Sequence, residues 1–240
     1  MHRFYAPDLP HEGALVSLPD DEARHLTQVL RLALGDEVCV FDGRGREHTA
    51  RVEIAARHRA ELRVGAAVSP AAEPAVQVTL AAALLKADKY DEVVRDATML
   101  GVRVVQPLVT AHTDVPAART GQRARVERWR RVALSSAKQC GRAVIPEIRE
   151  PVRLTAALET SPTPLLMLAE PSAGIAESRL PVAPPAATLL VGPEGGWSTE
   201  ELETARHAGA LFIQFGRRTL RADAAPIVAL AIVMYEWKAL

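Results

Sequence analysis

The sequence of 240 residues predicts an α/β protein in two parts, a small β-barrel followed by a larger domain built on a parallel sheet. Two observations predict this architecture. Over residues 1–70, short segments alternate apolar and polar side chains, which is the period of half-buried strands. From residue 75 onward, uninterrupted apolar runs alternate with segments whose apolar residues have helical spacing. This order indicates β-α-β units and therefore a parallel sheet.

The first part combines three predicted strands with one helix. The strands lie at residues 37–42, 50–54 and 62–66. Asp20 or Asp21 is placed to cap the helix, and Gly35 follows it where a C-cap glycine is expected. The apolar stripe of this helix consists of Leu26, Val29, Leu30 and Ala33. We assign residues 1–70 to a first domain and residues 75–240 to a second, with the linker at residues 69–74.

The second part opens with residues 76–85, an unbroken apolar run that is typical of a strand buried on both faces. A helix ended by Gly101 follows, and residues 102–109 form the next strand. Further strands are predicted at residues 165–169, 188–191 and 210–215.

Two more helices complete the second part. Ser198 and Glu201 have the spacing of a capping box at the start of one. The last helix begins near Asp223 and has Pro226 in its first turn, where proline is tolerated. Because that helix is apolar nearly all round, it must be buried in a core or in a subunit interface.

Composition limits the class of protein. Hydrophobic residues make up 48 % of the chain, enough for a packed core. The formal net charge is zero, so RNA binding would require a local basic patch. Cys39 and Cys140 stand alone, no residue spacing suggests a metal site, and no apolar segment is long enough to span a membrane. These features predict a cytoplasmic protein without metal or membrane contact.

Two glycine-containing segments, residues 191–197 and 215–223, are the first candidates for chemistry. Each follows a buried strand and precedes a helix, which is where ligands bind in open α/β sheets. Glycines there let the backbone approach a ligand closely, although a tight turn explains the first segment equally well. The second segment crowds three arginines and Asp223 together, and a solvated loop with Asp223 as an ordinary N-cap is the alternative.

Three basic groups are candidates for phosphate contact. Arg24, Gln28 and Arg31 share one face of the first helix by spacing. The helix at residues 123–142 is rich in arginine, and Lys86 and Lys89 follow the first strand of the second domain. Solvated or salt-bridged helix faces, with Asp88 as an N-cap, remain open alternatives.

The order of these segments resembles the 16S ribosomal RNA uridine N3-methyltransferases of the SPOUT superfamily, nearly end to end. The resemblance rests on HRFYAP at the start, RHLTQVLR in the first helix, LGV at 100–102, ERW at 127–129, SSAKQCGRAVIPEI at 135–148, LVGPEGGWSTEE at 190–201 and FGRRTLRADAAP at 215–226. It implies a PUA-like β-barrel at residues 1–70, a parallel-sheet domain with a trefoil knot at residues 75–240, and a homodimer.

The resemblance also implies S-adenosylmethionine as cofactor and 16S rRNA or the assembled small subunit as partner. The cofactor-binding residues carried over are Leu168, Glu170, Leu190, Val191, Gly192, Pro193, Gly195, Gly196, Phe215, Gly216, Leu220 and Arg221. The RNA-binding candidates are Arg3, Arg24, Arg31, Lys86, Lys89 and Arg142.

A catalytic hypothesis follows for methyl transfer to uridine N3. Arg218 and Arg221 would favour the anion that develops as N3 loses its proton. Asp223 or Glu194 would accept that proton. The chain departs from the family pattern at Met99, where glutamate is frequent, and at Asp223-Ala224, which stands in place of Glu-Thr. A threonine hydroxyl at 224 therefore has no part in this mechanism.

Other functions remain open from the sequence. The same fold could methylate tRNA or a ribose 2′-hydroxyl, or it could bind RNA without catalysis. A dinucleotide-dependent enzyme is a third alternative, but Leu84-Leu85-Lys86 offers no glycine fingerprint after the first strand of the second domain.

Overall fold

The computed structural model describes residues 1–86, 88–113, 121–171, 174 and 178–239. Leu240, the last residue of the predicted second domain, lies outside these residues. The chain divides into two compact units. The first contains Met1–Glu73 and Leu134–Ile145, and the second contains Pro74–Ala133 and Pro146–Leu240.

The first unit is built on a five-stranded sheet in the order β1-β3-β4-β5-β2. Its strands are β1 (Arg3–Tyr5), β2 (Leu15–Ser17), β3 (Glu37–Phe41), β4 (Glu47–Ala56) and β5 (Arg59–Ala67). The β1–β3 pair is parallel and the other pairs are antiparallel. Alternate side chains of β4 and β5 are buried, among them Val52 and Leu62, so the predicted period of two is confirmed there, whereas β3 is buried continuously from Val38 to Phe41.

The helix of the first unit is shorter than the sequence predicts. It comprises α1 (Asp20–Arg24) and a π-helical turn (His25–Val29), and it has no side-chain cap. Leu26 is buried and Leu30 packs partly buried against the core, but Val29 is 66 % exposed and Ala33 is exposed, so the predicted apolar stripe is wrong at Val29 and Ala33. The wider π turn changes the angular spacing of side chains, and the chain then leaves the helix at Arg31, whose φ is +56°.

Residues 134–145 belong to the first unit, although the sequence assigns them to the second domain. They include the last turns of α3 (Gln122–Cys140). Backbone hydrogen bonds attach the segment to the first unit: Gly45 N donates to Ala143 O at 3.1 Å, and Ala71 N donates to Gly141 O at 3.4 Å. Such pairings join residues far apart in sequence, so local periodicity carries no signal for them.

The second unit contains a seven-stranded sheet in which every described strand pair is parallel. Its strands are β6 (Gln77–Ala83), β7 (Val104–Val109), β8 (Glu147–Ile148), β9 (Val152–Arg153), β10 (Leu165–Leu168), β11 (Ala186–Val191) and β12 (Leu211–Ile213). Their order is β12-β10-β11-β6-β7-β8, and β9 also pairs with β7. The predicted parallel sheet is therefore confirmed.

Four helices and the first turns of α3 flank this sheet: α2 (Lys89–Met99), α4 (Leu154–Thr160), α5 (Thr199–His207) and α6 (Ala225–Glu236). The capping box of α5 forms as predicted, because Ser198 Oγ accepts from Glu201 N and Glu201 Oε2 accepts from Ser198 N. Helix α6 begins at Ala225, with Ala224 as its N-cap. Asp223 is thus not the N-cap residue of α6. In the described residues, no helix is long and apolar enough to cross a membrane.

Candidate active site

Three loops meet at the carboxyl ends of β10, β11 and β12. Register brings them together, since Leu168 at the end of β10 lies opposite both Val191 and Ile213. The residues that follow these strands surround a cavity that opens to solvent. The sequence places its two glycine-containing segments here, and the third loop, residues 168–171, completes the wall.

Most of the predicted cofactor-binding residues line this cavity. They are Leu168, Glu170, Val191, Gly192, Pro193, Gly196, Phe215, Gly216 and Leu220, and Arg218 lines it as well. Three predicted residues do not. Leu190 is fully buried within β11, Gly195 is exposed beside His112, and Arg221 lines the groove next to the cavity.

Trp197 joins two of the cavity loops, and the sequence-based site did not include it. Its indole Nε1 donates to Leu168 O at 2.9 Å. The same ring lies against Gly192, where a Cβ would stand 3.1–3.3 Å from indole atoms. The only sequence signal for Trp197 is its position at the end of the first glycine-containing segment.

Gly196 is required at its position for two reasons. Its φ is +67°, a conformation that side chains of L residues rarely adopt. A Cβ there would also lie 3.0 Å from Oε1 of Glu170, so the glycine leaves room for that carboxylate. The Glu170 carboxylate therefore lies directly against the glycine turn.

A further loop, which follows β7, supports the same turn from outside the cavity. His112 Nδ1 lies 3.1 Å from Gly196 O, and Glu201 Oε1 accepts from Ala111 N at 2.8 Å. Glu201 also closes the capping box of α5 through its other oxygen. His112 and Gly196 are 84 residues apart, so spacing in the sequence could not reveal this contact.

A groove adjoins the cavity and shares part of its wall. Both spaces are lined by Glu170, Pro193, Thr219, Leu220 and Ala222. The groove adds four charged residues: Lys89, Glu194, Arg221 and Asp223. Three of the four predicted catalytic residues therefore lie in the groove, and the fourth, Arg218, lies in the cavity.

Arg221 and Asp223 form a bidentate ion pair on one loop. Nε of Arg221 lies 3.1 Å from Oδ1 of Asp223, and Nη2 lies 2.7 Å from Oδ2. The hydrogen bond from Arg221 lowers the pKa of Asp223. Because both carboxylate oxygens are engaged and the charged form is favoured, Asp223 is a weak proton acceptor in this arrangement.

Lys89 reaches the groove from the first turn of α2. Its Nζ lies 3.6 Å from Oε1 of Glu194, which is a longer and looser contact. The turn is held by Arg128, whose Nη2 lies 2.5 Å from Asp91 Oδ2 and 2.9 Å from Asp88 Oδ1. Asp88 is at the N-cap position but makes no side-chain cap, so its carboxylate contributes to this ion pair.

The α3 helix carries part of this support. Val126, Trp129, Ala133 and Ala137 form its buried apolar stripe, at the spacing of one helix face. Trp129 Nε1 donates to Asp91 at 3.1 Å. Arg128 and Arg130 both form ion pairs with carboxylates, as in the salt-bridged alternative to a phosphate-binding helix.

The six predicted RNA-binding residues fall into two groups. Arg24, Arg31 and Lys86 are exposed, and Lys89 is half-buried in the groove. Arg3 and Arg142 lie inside the first unit: Arg142 is 4 % exposed and pairs with Glu73.

Arg3 has a structural environment that the sequence did not suggest. Its guanidinium pairs with both carboxylate oxygens of Glu47 at 2.8 Å. It also donates to the backbone oxygens of Ala137, Lys138 and Arg142. These hydrogen bonds join β1 to residues 137–142 and engage the guanidinium within the first unit.

Within the part of the chain that the structure describes, no group of three or more His, Cys, Asp or Glu residues could hold a metal ion. Two sequence families match the chain: an RNA methyltransferase PUA domain over residues 18–65 and an RNA methyltransferase domain over residues 72–234.

The chain is similar to ribosomal RNA small subunit methyltransferase E of Synechocystis, at 34 % identity over 91 % of this chain and 72 % of the relative. It is also similar to the protein of that name from Mycobacterium bovis, at 31 % identity over 96 % and 90 %.

Two solved structures are similar throughout. Ribosomal RNA small subunit methyltransferase E from Neisseria gonorrhoeae, bound to S-adenosylmethionine, has a TM-score of 0.90 at 30 % identity, covering 99 % of this chain and 98 % of that one. A protein from Legionella pneumophila in complex with the cofactor S-adenosylmethionine has a TM-score of 0.91 at 30 % identity, covering 98 % and 97 %.

Fold and pocket therefore define an RNA methyltransferase of the SPOUT type with a PUA domain, as the sequence predicts. The chain belongs to the ribosomal RNA small subunit methyltransferase E family.

Proposed function

We propose that this protein transfers a methyl group from S-adenosylmethionine to N3 of one uridine in small-subunit ribosomal RNA. The single observation that carries the proposal is the cavity at the ends of β10, β11 and β12, which shares a wall with a charged groove. A cofactor in the cavity and a nucleotide in the groove would meet at that wall. The relatives named above support the choice of cofactor and of RNA.

The cavity residues suit S-adenosylmethionine. Gly192 and Gly196 leave backbone open to close approach, and Leu168, Trp197 and Leu220 offer apolar surface. Glu170 and Arg218 supply opposite charges, as a ligand with a carboxylate and cationic groups requires. We therefore propose as cofactor-binding residues the predicted ones that line the cavity, together with Trp197. Leu190 does not line the cavity and would affect the cofactor only through the position of β11.

When bound, S-adenosylmethionine supplies an electrophilic methyl group on its sulfonium. The protein must then orient the uridine and remove the proton from N3. Arg218 and Arg221 would favour the anion that develops on the base, and Glu194 or Asp223 would accept the proton. Ala224 carries no hydroxyl, so this chemistry proceeds without the threonine common in the family.

The proposed RNA contacts are Arg24, Arg31, Lys86 and Lys89. They are exposed or line the groove, and a cation in such a position can bind phosphate. Arg3 and Arg142 are left out because their guanidiniums are engaged inside the first unit. These local charges are compatible with RNA binding by a chain whose net charge is zero.

We further propose that the protein acts in the cytoplasm as a homodimer, with α6 in the subunit interface. On one face of α6, Ile227, Val228, Ala231 and Ile232 are partly exposed, and Tyr235 is 73 % exposed. An apolar face on a soluble enzyme is stabilised when a second copy covers it.

The test is methylation in vitro of small-subunit particles and of naked small-subunit RNA, followed by mass-spectrometric mapping. We expect N3-methyluridine at one position and its loss with Arg221→Ala. A methylated ribose or a methylated tRNA would reject the proposal in favour of another target. Absence of S-adenosylmethionine binding in calorimetry would identify a non-catalytic RNA-binding protein.

A further inference from the structure

The groove holds two ion pairs, and the two side chains of one pair hold each other more tightly than those of the other. Arg221 and Asp223 are two residues apart on one loop and engage each other through two hydrogen bonds. Lys89 and Glu194 come from separate elements, the first turn of α2 and the first glycine-containing segment, and their charged atoms are 3.6 Å apart. Only the second pair leaves both members able to turn toward a ligand without first breaking a short ion pair.

We propose that Glu194 accepts the N3 proton of the target uridine and that Lys89 donates a hydrogen bond to the carbonyl oxygen beside it. This inference rests on the proposed function, since it assigns roles within the groove of that same site. It makes Lys89 a catalytic residue, and it chooses Glu194 over Asp223 as proton acceptor.

The hydrogen-bonding pattern of uracil favours this assignment. Its N3–H is a donor flanked by two carbonyl acceptors. A neighbouring carboxylate and ammonium present the complementary pattern, one acceptor beside one donor. Glu194 and Lys89 supply these two groups side by side, at about two-fifths exposure each. The Asp223 carboxylate is already satisfied by Arg221, whose hydrogen bond lowers the pKa of Asp223 and so weakens it as a base.

The step balances with these groups alone. The N3–H bond breaks and the proton goes to the Glu194 carboxylate, which leaves the electron pair on N3 and negative charge shared with the ring oxygens. The ammonium of Lys89 stabilises that charge at the oxygen. N3 then forms a bond to the methyl carbon as the carbon–sulfur bond breaks, and its electron pair stays on sulfur. Glu194 afterwards releases the proton to solvent.

Position supports the assignment as well. Glu194 lies between Pro193, which lines both spaces, and the glycines at 195 and 196. Its carboxylate is therefore carried by the loop that separates cavity from groove. The Lys89 backbone is held by the ion pairs of Arg128 with Asp88 and Asp91, so its side chain starts from an ordered turn.

The experiment compares the full-length wild-type protein with Glu194→Gln, Lys89→Ala and Asp223→Asn in single-turnover methylation. Substrates are small-subunit RNA with uridine at the target and the same RNA with 5-fluorouridine there. Fluorine withdraws electrons and makes the N3 proton more acidic, so the altered RNA depends less on a base. Glu200→Gln and Arg95→Ala, both exposed and outside the site, are controls.

We expect Glu194→Gln to lower the rate about 100-fold or more on uridine RNA and to recover most of that loss on 5-fluorouridine RNA. Lys89→Ala should lower the rate by a similar factor, with partial recovery in Lys89→Arg. The dissociation constant for S-adenosylmethionine and the melting temperature should stay close to those of the wild type in every variant. The dissociation constant for RNA should do so in Glu194→Gln, while Lys89→Ala, which also removes a proposed RNA contact, should be compared at saturating RNA. The rate of Asp223→Asn on both RNAs should fall by one common factor.

The inference is overturned if Glu194→Gln retains the wild-type rate, or if fluorine rescues Asp223→Asn and not Glu194→Gln. It is also overturned if Lys89→Ala loses RNA affinity while its rate at saturating RNA is unchanged. A wild-type protein that methylates no uridine N3 would instead reject the proposed function, so the two failures can be told apart.

Discussion

The indole N–H of Trp197 donates a 2.9 Å hydrogen bond to the carbonyl oxygen of Leu168. This bond joins the loop after β10 to the loop after β11, and both loops line the candidate cofactor cavity. The shape of the cavity therefore depends in part on the side chain of Trp197, whose ring also lies against Gly192.

Trp197→Phe should weaken the binding of S-adenosylmethionine. The change keeps an aromatic ring against Gly192 but removes the hydrogen bond, which contributes about 0.5–1.5 kcal/mol, or up to about tenfold in affinity. Isothermal titration calorimetry measures the effect. Trp237→Phe is the matched control, because Trp237 donates an equivalent 2.9 Å bond to Pro181 O and does not line the cavity. Equal losses in both variants would show that the Trp197 bond is not specific to the ligand.

Gly196→Ala should impair cofactor binding more than it impairs folding. The methyl group would meet the Glu170 carboxylate at 3.0 Å, and alanine at positive φ adds about 1 kcal/mol of backbone strain. Gly209→Ala introduces the same strain after α5, at φ +78° and with nothing within 4 Å of the new atom. Thermal melting should shift alike in both variants, while calorimetry should detect weaker cofactor binding in Gly196→Ala alone.

Arg24→Ala and Arg31→Ala should weaken RNA binding without destabilising the protein. Each removes an exposed cation, so affinity should fall and the salt dependence of binding should flatten by about one phosphate contact. Filter binding across a salt series tests this. A salt slope unchanged in both variants would remove them from the RNA interface.

Arg3→Ala should destabilise the protein without weakening its binding to RNA. The change leaves the Glu47 carboxylate and three backbone oxygens without their donor, and breaking a buried ion pair in this way costs about 3–5 kcal/mol. Urea unfolding should detect the loss. RNA affinity measured on the folded fraction should keep the wild-type salt slope, and a flatter slope would restore Arg3 as an RNA contact.

Asp42 should make the first unit sensitive to acid. Burial opposes ionisation of its carboxylate, but hydrogen bonds from Arg44 N, Arg46 N and the Arg46 side chain outweigh it and lower the pKa of Asp42 below 3.8. A carboxylate whose pKa is lowered on folding stabilises the protein at neutral pH, and this contribution is lost as pH falls below about 4.

Asp42→Asn should therefore reduce the free energy of unfolding by about 1–3 kcal/mol at neutral pH. The difference from the wild type should shrink near about pH 3, where Asp42 binds a proton on unfolding. Urea titrations at the two pH values measure both quantities. If the difference in unfolding free energy is the same at both pH values, the effect of Asp42→Asn comes from altered packing and not from the lost charge.

Ile232→Glu should convert a dimer to monomers if α6 forms the subunit interface. The charge would lie within the partly exposed apolar face of α6, where a second copy would have to bury it. Sedimentation at several protein concentrations gives the oligomeric state. Val182→Glu is the control, since Val182 is 92 % exposed and lies outside that helix. A wild-type protein that sediments as a monomer would reject the interface.

Local patterns predicted much of the fold and the position of the site. Periods of two and of helical spacing record which face of each element is buried, so the parallel sheet, the capping box at Ser198 and the stripe around Trp129 could be predicted from sequence. The glycine-containing segments lie at the carboxyl ends of β11 and β12 and line the cavity, a position that could be predicted because each segment directly follows a buried strand. The same reasoning failed at Val29, since a π turn leaves no local signature.

The sequence by itself thus determined the class of fold, the family, and the segments that line the cavity. Only the tertiary structure decided which side chains hold those segments and which cations are exposed. Trp197 reaches Leu168, His112 reaches Gly196, and Arg3 turns inward to Glu47. These contacts depend on strand order and on packing between residues far apart in the chain. Periodicity reports only whether a residue is buried, and not against which partner.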